Sequence, residues 1–355
     1  MKYPYFHAQS FVALALTALG ISVAQAVPLY RVQALPAANS GDGFFNAVAL
    51  NNRGDVAGYA ADAQGSRSFV WTRGGFSYLP QAGASSLPVD INNRGQVLFN
   101  ASGANGTTQP FLFNREGGVN ISPAAGGAGF GRALSSNGLA VGDAGGRSFY
   151  FDGRDSRWLD WSLDGARAAF ATGINRNCTI VGHALTSGDG SQAFIARNGR
   201  ASFLDGLSDA WAINDRGQVL GLDGKGYLVR DADGSTAYLG FANATQLNAR
   251  GWAVGSAVVD GALHTHVWRD GQSLDLNRLL AGTAATRWTL ATAADINDRG
   301  QIIGIGWLNG VRTSFIATPV PEPQTWALLL GGVGLVGAAV RRRRGPDHAQ
   351  PTSPR

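Results

Sequence analysis

Cysteine occurs once in the 355 residues, at Cys178, so no intramolecular disulfide can form and stability must come from packing and hydrogen bonding. Glutamate occurs only at Glu116 and Glu322, and lysine is nearly absent beside arginine. The residues that usually cover exposed helix faces are therefore missing, which argues against a helical fold. Negative and positive charge almost cancel between residues 27 and 319, with 23 basic against 22 acidic side chains. The pI of about 9.6 thus comes from the two ends and gives no reason to expect nucleic acid as a partner. What is abundant is glycine, with 50 residues, beside a hydrophobic content of 45% that is enough for a large buried core. This is the composition of an all-β chain rich in turns.

Both ends have the pattern of address labels. Lys2 precedes an apolar run from Phe11 to Val23, and Ala24-Gln25-Ala26 has the small-x-small form that signal peptidase accepts. A signal peptide over residues 1–26, cut after Ala26, is expected, with the remainder exported. At the other end stands VPEPQTWALLLGGVGLVGAAVRRRR, an uncharged stretch flanked by two prolines and four arginines. A transmembrane-like helix over residues 326–340 would cover roughly 22 Å at ~1.5 Å per residue, short of a ~30 Å hydrocarbon core but usable with snorkelling arginines. By the positive-inside rule the arginines stay cytoplasmic and residues 27–319 lie outside.

This tail resembles the PEP-CTERM sorting signal of Gram-negative bacteria. The resemblance rests on Pro321, Glu322 and Pro323, on the apolar stretch, and on Arg341, Arg342, Arg343 and Arg344. It implies recognition by an exosortase, processing near the triplet, and delivery to the cell surface or exopolysaccharide matrix. The sorting segment spans residues 320–344, and Gly345 to Arg355 add a polar tail that family members usually lack.

The region between the labels is repetitive. ALNNRGDVAG, DINNRGQVLF, ALSSNGLAVG, GINRNCTIVG, AINDRGQVLG, QLNARGWAVG and DINDRGQIIG begin at Ala49, Asp90, Ala133, Gly173, Ala212, Gln246 and Asp295. Their third residues, Asn51, Asn92, Ser135, Asn175, Asn214, Asn248 and Asn297, lie 41, 43, 40, 39, 34 and 49 residues apart, a period of solenoids and propellers. In each copy the Asn or Ser side chain can accept from the backbone N–H two residues on. The glycine (Gly54, Gly95, Gly217, Gly251 and Gly300 in the clearest copies) supplies the left-handed residue of a type I turn with a bulge. Cys178 stands where the fourth copy should have that glycine, and a one-residue shift would transfer the positive dihedral to Asn177; Phe99 replaces a later glycine in the second copy.

Between these hairpins lie further strand–turn–strand pairs such as SFVWTRGGFSYL (68–79) and AFIARNGRASFL (193–204), making four strands per repeat. That is the make-up of a propeller blade. The seventh copy stops after SFIATP (314–319), one strand short, while LYRVQALP (29–36) is a strand with no hairpin. Pairing the two predicts an all-β, seven-bladed β-propeller of about 28 strands over residues 27–319, closed by its own N-terminal strand. The repeats also resemble the HAF family of bacterial extracellular repeats, through the Asn-x-x-Gly hairpin and a later strand seen as Gln192-Ala193-Phe194-Ile195 and as His266-Val267-Trp268. What that family implies is an exported repeat protein without an assigned biochemical role.

Motifs that carry chemistry are few. His264 and His266 share one face of an extended segment but have no further ligands beside them, so no metal site is assigned. Asp231-Ala232-Asp233-Gly234-Ser235 lacks the later glutamate of a calcium loop and fits a hairpin turn. AAGGAGFG (124–131) lacks the lysine of a phosphate loop and fits an inter-blade connection. No catalytic residue and no cofactor is assigned. The expected role is a non-enzymatic surface propeller that binds or organises exopolysaccharide or a surface protein. Its Asn turns would serve as scaffold, and variable loops on the opposite face (61–66, 101–109, 184–192 and 258–264) would make the contacts. Trp211, Trp252, Trp288 and Trp307 are candidates for sugar stacking or inter-blade packing. The alternative is a carbohydrate-active enzyme with carboxylates gathered in the central channel.

Overall fold

Each Asn-x-x-Gly stretch folds as the tight turn its residues require. Asn51 Oδ1 accepts from the backbone N–H groups of Arg53 and Asp55, at 2.9 and 3.0 Å, and Asn92, Asn175, Asn214, Asn248 and Asn297 repeat the pattern. The turn residue that follows has φ between 76° and 92° in the six glycine copies, a region that a Cβ makes costly. In the fourth copy Cys178 itself takes φ 57°, and no shift to Asn177 occurs. The cause is register: Cys178 N donates to Asn175 O at 3.1 Å, as the glycines do in the other turns.

These turns join the first and second strands of seven four-stranded antiparallel sheets. The computed structural model describes residues 28–320 apart from 36–43, 64, 74, 81–82, 104, 115, 124–126 and 189. Ala24, Ala26, Pro321, Glu322, Pro323, the proposed helix over 326–340, Arg341 to Arg344 and the polar tail lie outside the described residues. Among the described residues no helix is long and apolar enough to cross a membrane. Strands fill blades 1 to 6 over residues 44–78, 85–120, 129–158, 166–203, 209–238 and 243–275, and blade 7 consists of 288–319 with Tyr30–Ala34. Helical structure in the described residues is confined to Leu276–Leu279 and Ala284–Arg287, between blades 6 and 7.

A second periodic glycine explains how the blades pack. In the middle of the second strand Gly58, Gly142, Gly182 and Gly304 pair across the ladder with Phe69, Phe149, Phe194 and Phe315, all four fully buried. A Cβ on Gly182 would lie 1.9 Å from the carbonyl oxygen of Phe170, so no other residue fits beneath the aromatic ring. Blade 2 solves the same problem differently: Phe99 takes the glycine position, is itself buried, and stacks on Phe111 at 5.6 Å. Burying such rings contributes about 2–3 kcal/mol each toward offsetting the entropy of ordering the chain.

Closure follows the sequence expectation. Tyr30 to Ala34 run antiparallel to the last strand, with Tyr30 opposite Pro319 and Ala34 opposite Phe315. Tyr30 is 1% exposed and enters the largest core cluster with Leu276, Trp288, Leu290 and Phe315. Blade 7 is stitched to blade 1 by Ser314 Oγ, which donates to Phe45 O and accepts from Ala47 N. The unit spanning residues 29–320 is therefore a closed ring with no unpaired sheet edge between its first and last blades.

Candidate functional site at the inner-turn mouth of the channel

The first strand of every blade lines the central channel, and all seven carry a β-bulge three residues before the turn Asn or Ser. The bulged residue has no register partner on the second strand, although Arg132 reaches Asp143, Thr172 the Val181 carbonyl and Thr245 the Val254 carbonyl through their side chains, and all seven line the channel. These residues are Val48, Val89, Arg132, Thr172, Trp211, Thr245 and Ala294, and together with the turns they line a cavity of about 530 Å3. The cavity opens among the Asn turns, the face that sequence reasoning assigned to scaffold.

The turns do hold the ring together, by a bond the sequence reading missed. Asn51 Nδ2 donates to the backbone oxygen of Asn92 in the next blade at 3.1 Å, and Asn92 to Ser135 at 3.3 Å. Asn175 reaches Asn214, Asn214 reaches Asn248, Asn248 reaches Asn297, and Asn297 returns to Asn51, at 2.9–3.1 Å. Ser135 is too short to continue the chain, and blade 3 instead reaches blade 4 through Asn137 Nδ2 and Arg176 O at 3.0 Å. The signal was present in the sequence: an Asx turn tolerates Asp as readily as Asn, yet no copy has Asp there, because only an amide can also donate.

A second tier of turn residues borders the mouth. Asp298 accepts from Ala249 N and from Asn52 Nδ2, and its own N–H donates to Asn52 Oδ1. Asp215 accepts from Arg176 N and Ser136 Oγ. Further in, Asp90 and Asp295 occupy the position two residues before the turn Asn. Asp90 accepts from Ile91 N and, across the blade boundary, from Leu134 N; Asp295 accepts from Ile296 N and, across the closure, from Leu50 N. Burial pushes the Asp90 carboxyl up to about 6 against the pull of those N–H groups. Burial, reinforced by the charge of Asp90, raises Asp295 well above the ordinary carboxylate range. All four carboxylate oxygens are thus occupied by backbone donors.

The other candidates separate. His264 Nδ1 lies 2.9 Å from Asp275 Oδ2, while His266 turns its Nδ1 to Ser273 Oγ at 3.0 Å. Among the described residues no group of three or more His, Cys, Asp or Glu side chains converges to hold a metal. Asp231 to Ser235 form the outer hairpin turn of blade 5, with Gly234 at φ 93°. Trp288 is 8% exposed and packs edge-on against Phe315, and Trp252 is half-buried beneath Arg250 and Arg269, so both serve blade packing. Trp211 is 41% exposed but stands in the channel, which leaves only Trp307, at 42%, on the variable-loop side.

The fold and its channel define the class: a seven-bladed β-propeller with four-stranded blades. Solved structures similar to it include the β-propeller domain of the trilobed protease from Pyrococcus furiosus, with a TM-score of 0.51, 13% identity, and 79% of this chain and 99% of that one covered. That propeller is described as having an open velcro topology, whereas here the terminal strands pair. The acylaminoacyl peptidase of Pyrococcus horikoshii is similar at the same TM-score with 12% identity; the match covers 81% of this chain and 54% of the peptidase, about half its length. At such identities the likeness shows the fold alone. Among curated proteins none matches the sequence. The particular label is at the C-terminus: residues 319–344 match the PEP-CTERM protein-sorting motif, which marks the chain as an exosortase-sorted surface protein built on a β-propeller.

Proposed function

We propose that this protein is an exported, non-enzymatic propeller displayed at the cell surface, where it binds or organises exopolysaccharide or a neighbouring surface protein. The observation that carries this reading is the continuity of its two parts: the last strand of the ring ends at Pro319, and the sorting motif begins there. In this reading residues 1–26 are removed by signal peptidase, residues 326–340 hold the chain in the membrane until exosortase acts, and the HAF-like repeats supply the rigid body. Replacing Pro321, Glu322 and Pro323 together with alanine is expected to leave the protein in the cell envelope and remove it from the surface, measured by surface labelling of intact cells. Surface display unchanged by the triple substitution overturns the sorting part of the proposal.

The enzyme reading is favoured by one observation, that Asp90 and Asp295 both line the channel with raised pKa values. The backbone donors on every one of their oxygens support a structural role instead. Incubating the protein with the exopolysaccharide of its own cells and measuring new reducing ends separates the two. Cleavage lost in Asp90→Asn would establish the enzyme.

A further inference from the structure

The near-neutrality of the whole propeller conceals an uneven distribution. The seven inner turns (51–55, 92–96, 135–139, 175–179, 214–218, 248–252 and 297–301) contain six arginines, three aspartates and no lysine. The outer hairpin turns on the same face carry acidic residues, Glu116, Asp152, Asp155, Asp231, Asp233 and Asp270, so the excess of arginine is confined to the inner turns that border the channel mouth. Arg53, Arg94, Arg176, Arg216, Arg250 and Arg299 are all exposed, one on each blade except the third, where Asn137 takes the place. The three aspartates among them are held by the turns, and two of them also pair with one of these arginines. Asp55 accepts from Asn51 Nδ2 and from Arg53 Nε at 2.8 Å, Asp215 accepts from Arg176 N with Arg176 Nε 3.8 Å from its carboxylate, and Asp298 accepts from Asn52 Nδ2 and Ala249 N. This leaves Arg94, Arg216, Arg250 and Arg299 without an acidic partner among the inner turns. Two arginines are aimed along the rim by the ring itself, since Arg94 Nη1 donates to Asn137 O and Arg216 Nη1 to Arg250 O.

Inside this crown stands Trp211, the one aromatic side chain among the seven bulged residues, 41% exposed and lining the cavity. A planar guanidinium matches a carboxylate through two parallel N–H donors, and an indole face matches the C–H face of a sugar ring. We infer that the inner-turn face binds an acidic polysaccharide, a polymer of carboxylate-bearing sugars, laid across the channel mouth with its charges on the arginine crown and a ring against Trp211. This inference rests on the proposed binding role and names its ligand class and its face.

The test is binding of the full-length protein to immobilised polygalacturonate and, separately, to neutral dextran, with anionic phosphatidylglycerol vesicles as a third surface. Polygalacturonate should be bound and dextran not, with affinity falling at least about tenfold between 50 and 500 mM NaCl as salt screens the crown. The variant R216Q/R250Q/R299Q should lose at least about tenfold in affinity at unchanged thermal unfolding, and Trp211→Ala about threefold or more. The control R147Q/K225Q/R287Q, on the opposite face, should change binding less than twofold. No binding of polygalacturonate, equal binding of dextran, or binding of vesicles alone overturns the inference. Polysaccharide binding that survives R216Q/R250Q/R299Q overturns the assignment of this face while leaving the broader binding role standing.

Discussion

The two faces of the propeller are built from opposite materials. The inner-turn face repeats one short turn seven times with its hydrogen bonds directed sideways into the next blade. The opposite face is made of connections of different lengths, and there the exposed large hydrophobics collect: Leu87, Phe130, Leu185, Val258, Leu263, Trp307 and Val311 all lie toward the ends of strands that point to it. Uniformity on one side is what bonding from blade to blade demands, because each turn must present a donor and an acceptor at the same height. The other side bears no such constraint, so its loops vary freely. Even on this constrained surface the turn arginines stay exposed, although Arg94 and Arg216 also bond to the next turn.

The largest effect is expected in the layer both faces share. Gly182→Ala puts a Cβ against the Phe170 carbonyl oxygen and should cost about 3 kcal/mol or more, seen in denaturant unfolding. Next is Asn214→Asp, which keeps the acceptor of the turn but removes the donor to Asn248 and sets a carboxylate against that carbonyl. A loss of about 2–4 kcal/mol and a fall of several degrees in Tm are expected. A substitution of equal size on the loop face, Val258→Thr, should stay within about 0.5 kcal/mol, since Val258 is 62% exposed. Equal losses in Asn214→Asp and Val258→Thr would erase the distinction between the faces.

The channel carboxylates sharpen the comparison through pH. Asp90 and Asp295 are raised in the folded state, so protonation favours folding. Their contribution is fully present below the unfolded value near 4 and is lost as pH rises through about 6 for Asp90. Unfolding free energy should therefore decline between pH 4 and 7 by on the order of 1–3 kcal/mol, with a shallower slope in Asp90→Asn. The smallest expected change is a gain. Cys178→Gly relieves a side chain held at φ 57° and should stabilise the protein by about 1 kcal/mol, a rise of a few degrees in Tm.

Much of the fold was legible because a propeller is written as a repeat. The turn Asn and Gly, the strand spacing and the unpaired Tyr30 to Ala34 segment are local features, and each found its expected place. The channel site was less legible. Trp211 and Arg132 sit at a bulge that breaks the alternation of the strand, so no count of two-residue periods would point them into the channel. Asp90 and Asp295 look like turn-flanking aspartates until their partners in the next blade, Leu134 and Leu50, are seen.

By itself the sequence determined the repeat, the tight turns, the strand count and the sorting motif, because each depends on side chains a few residues apart acting on their own backbone. Only the tertiary structure decided which Asn donates to which neighbour, that two distant aspartates share one channel, and that six arginines separated by tens of residues form a single crown. Those are through-space relations, fixed when seven blades with one geometry close on themselves and bring equivalent positions to the same radius and height.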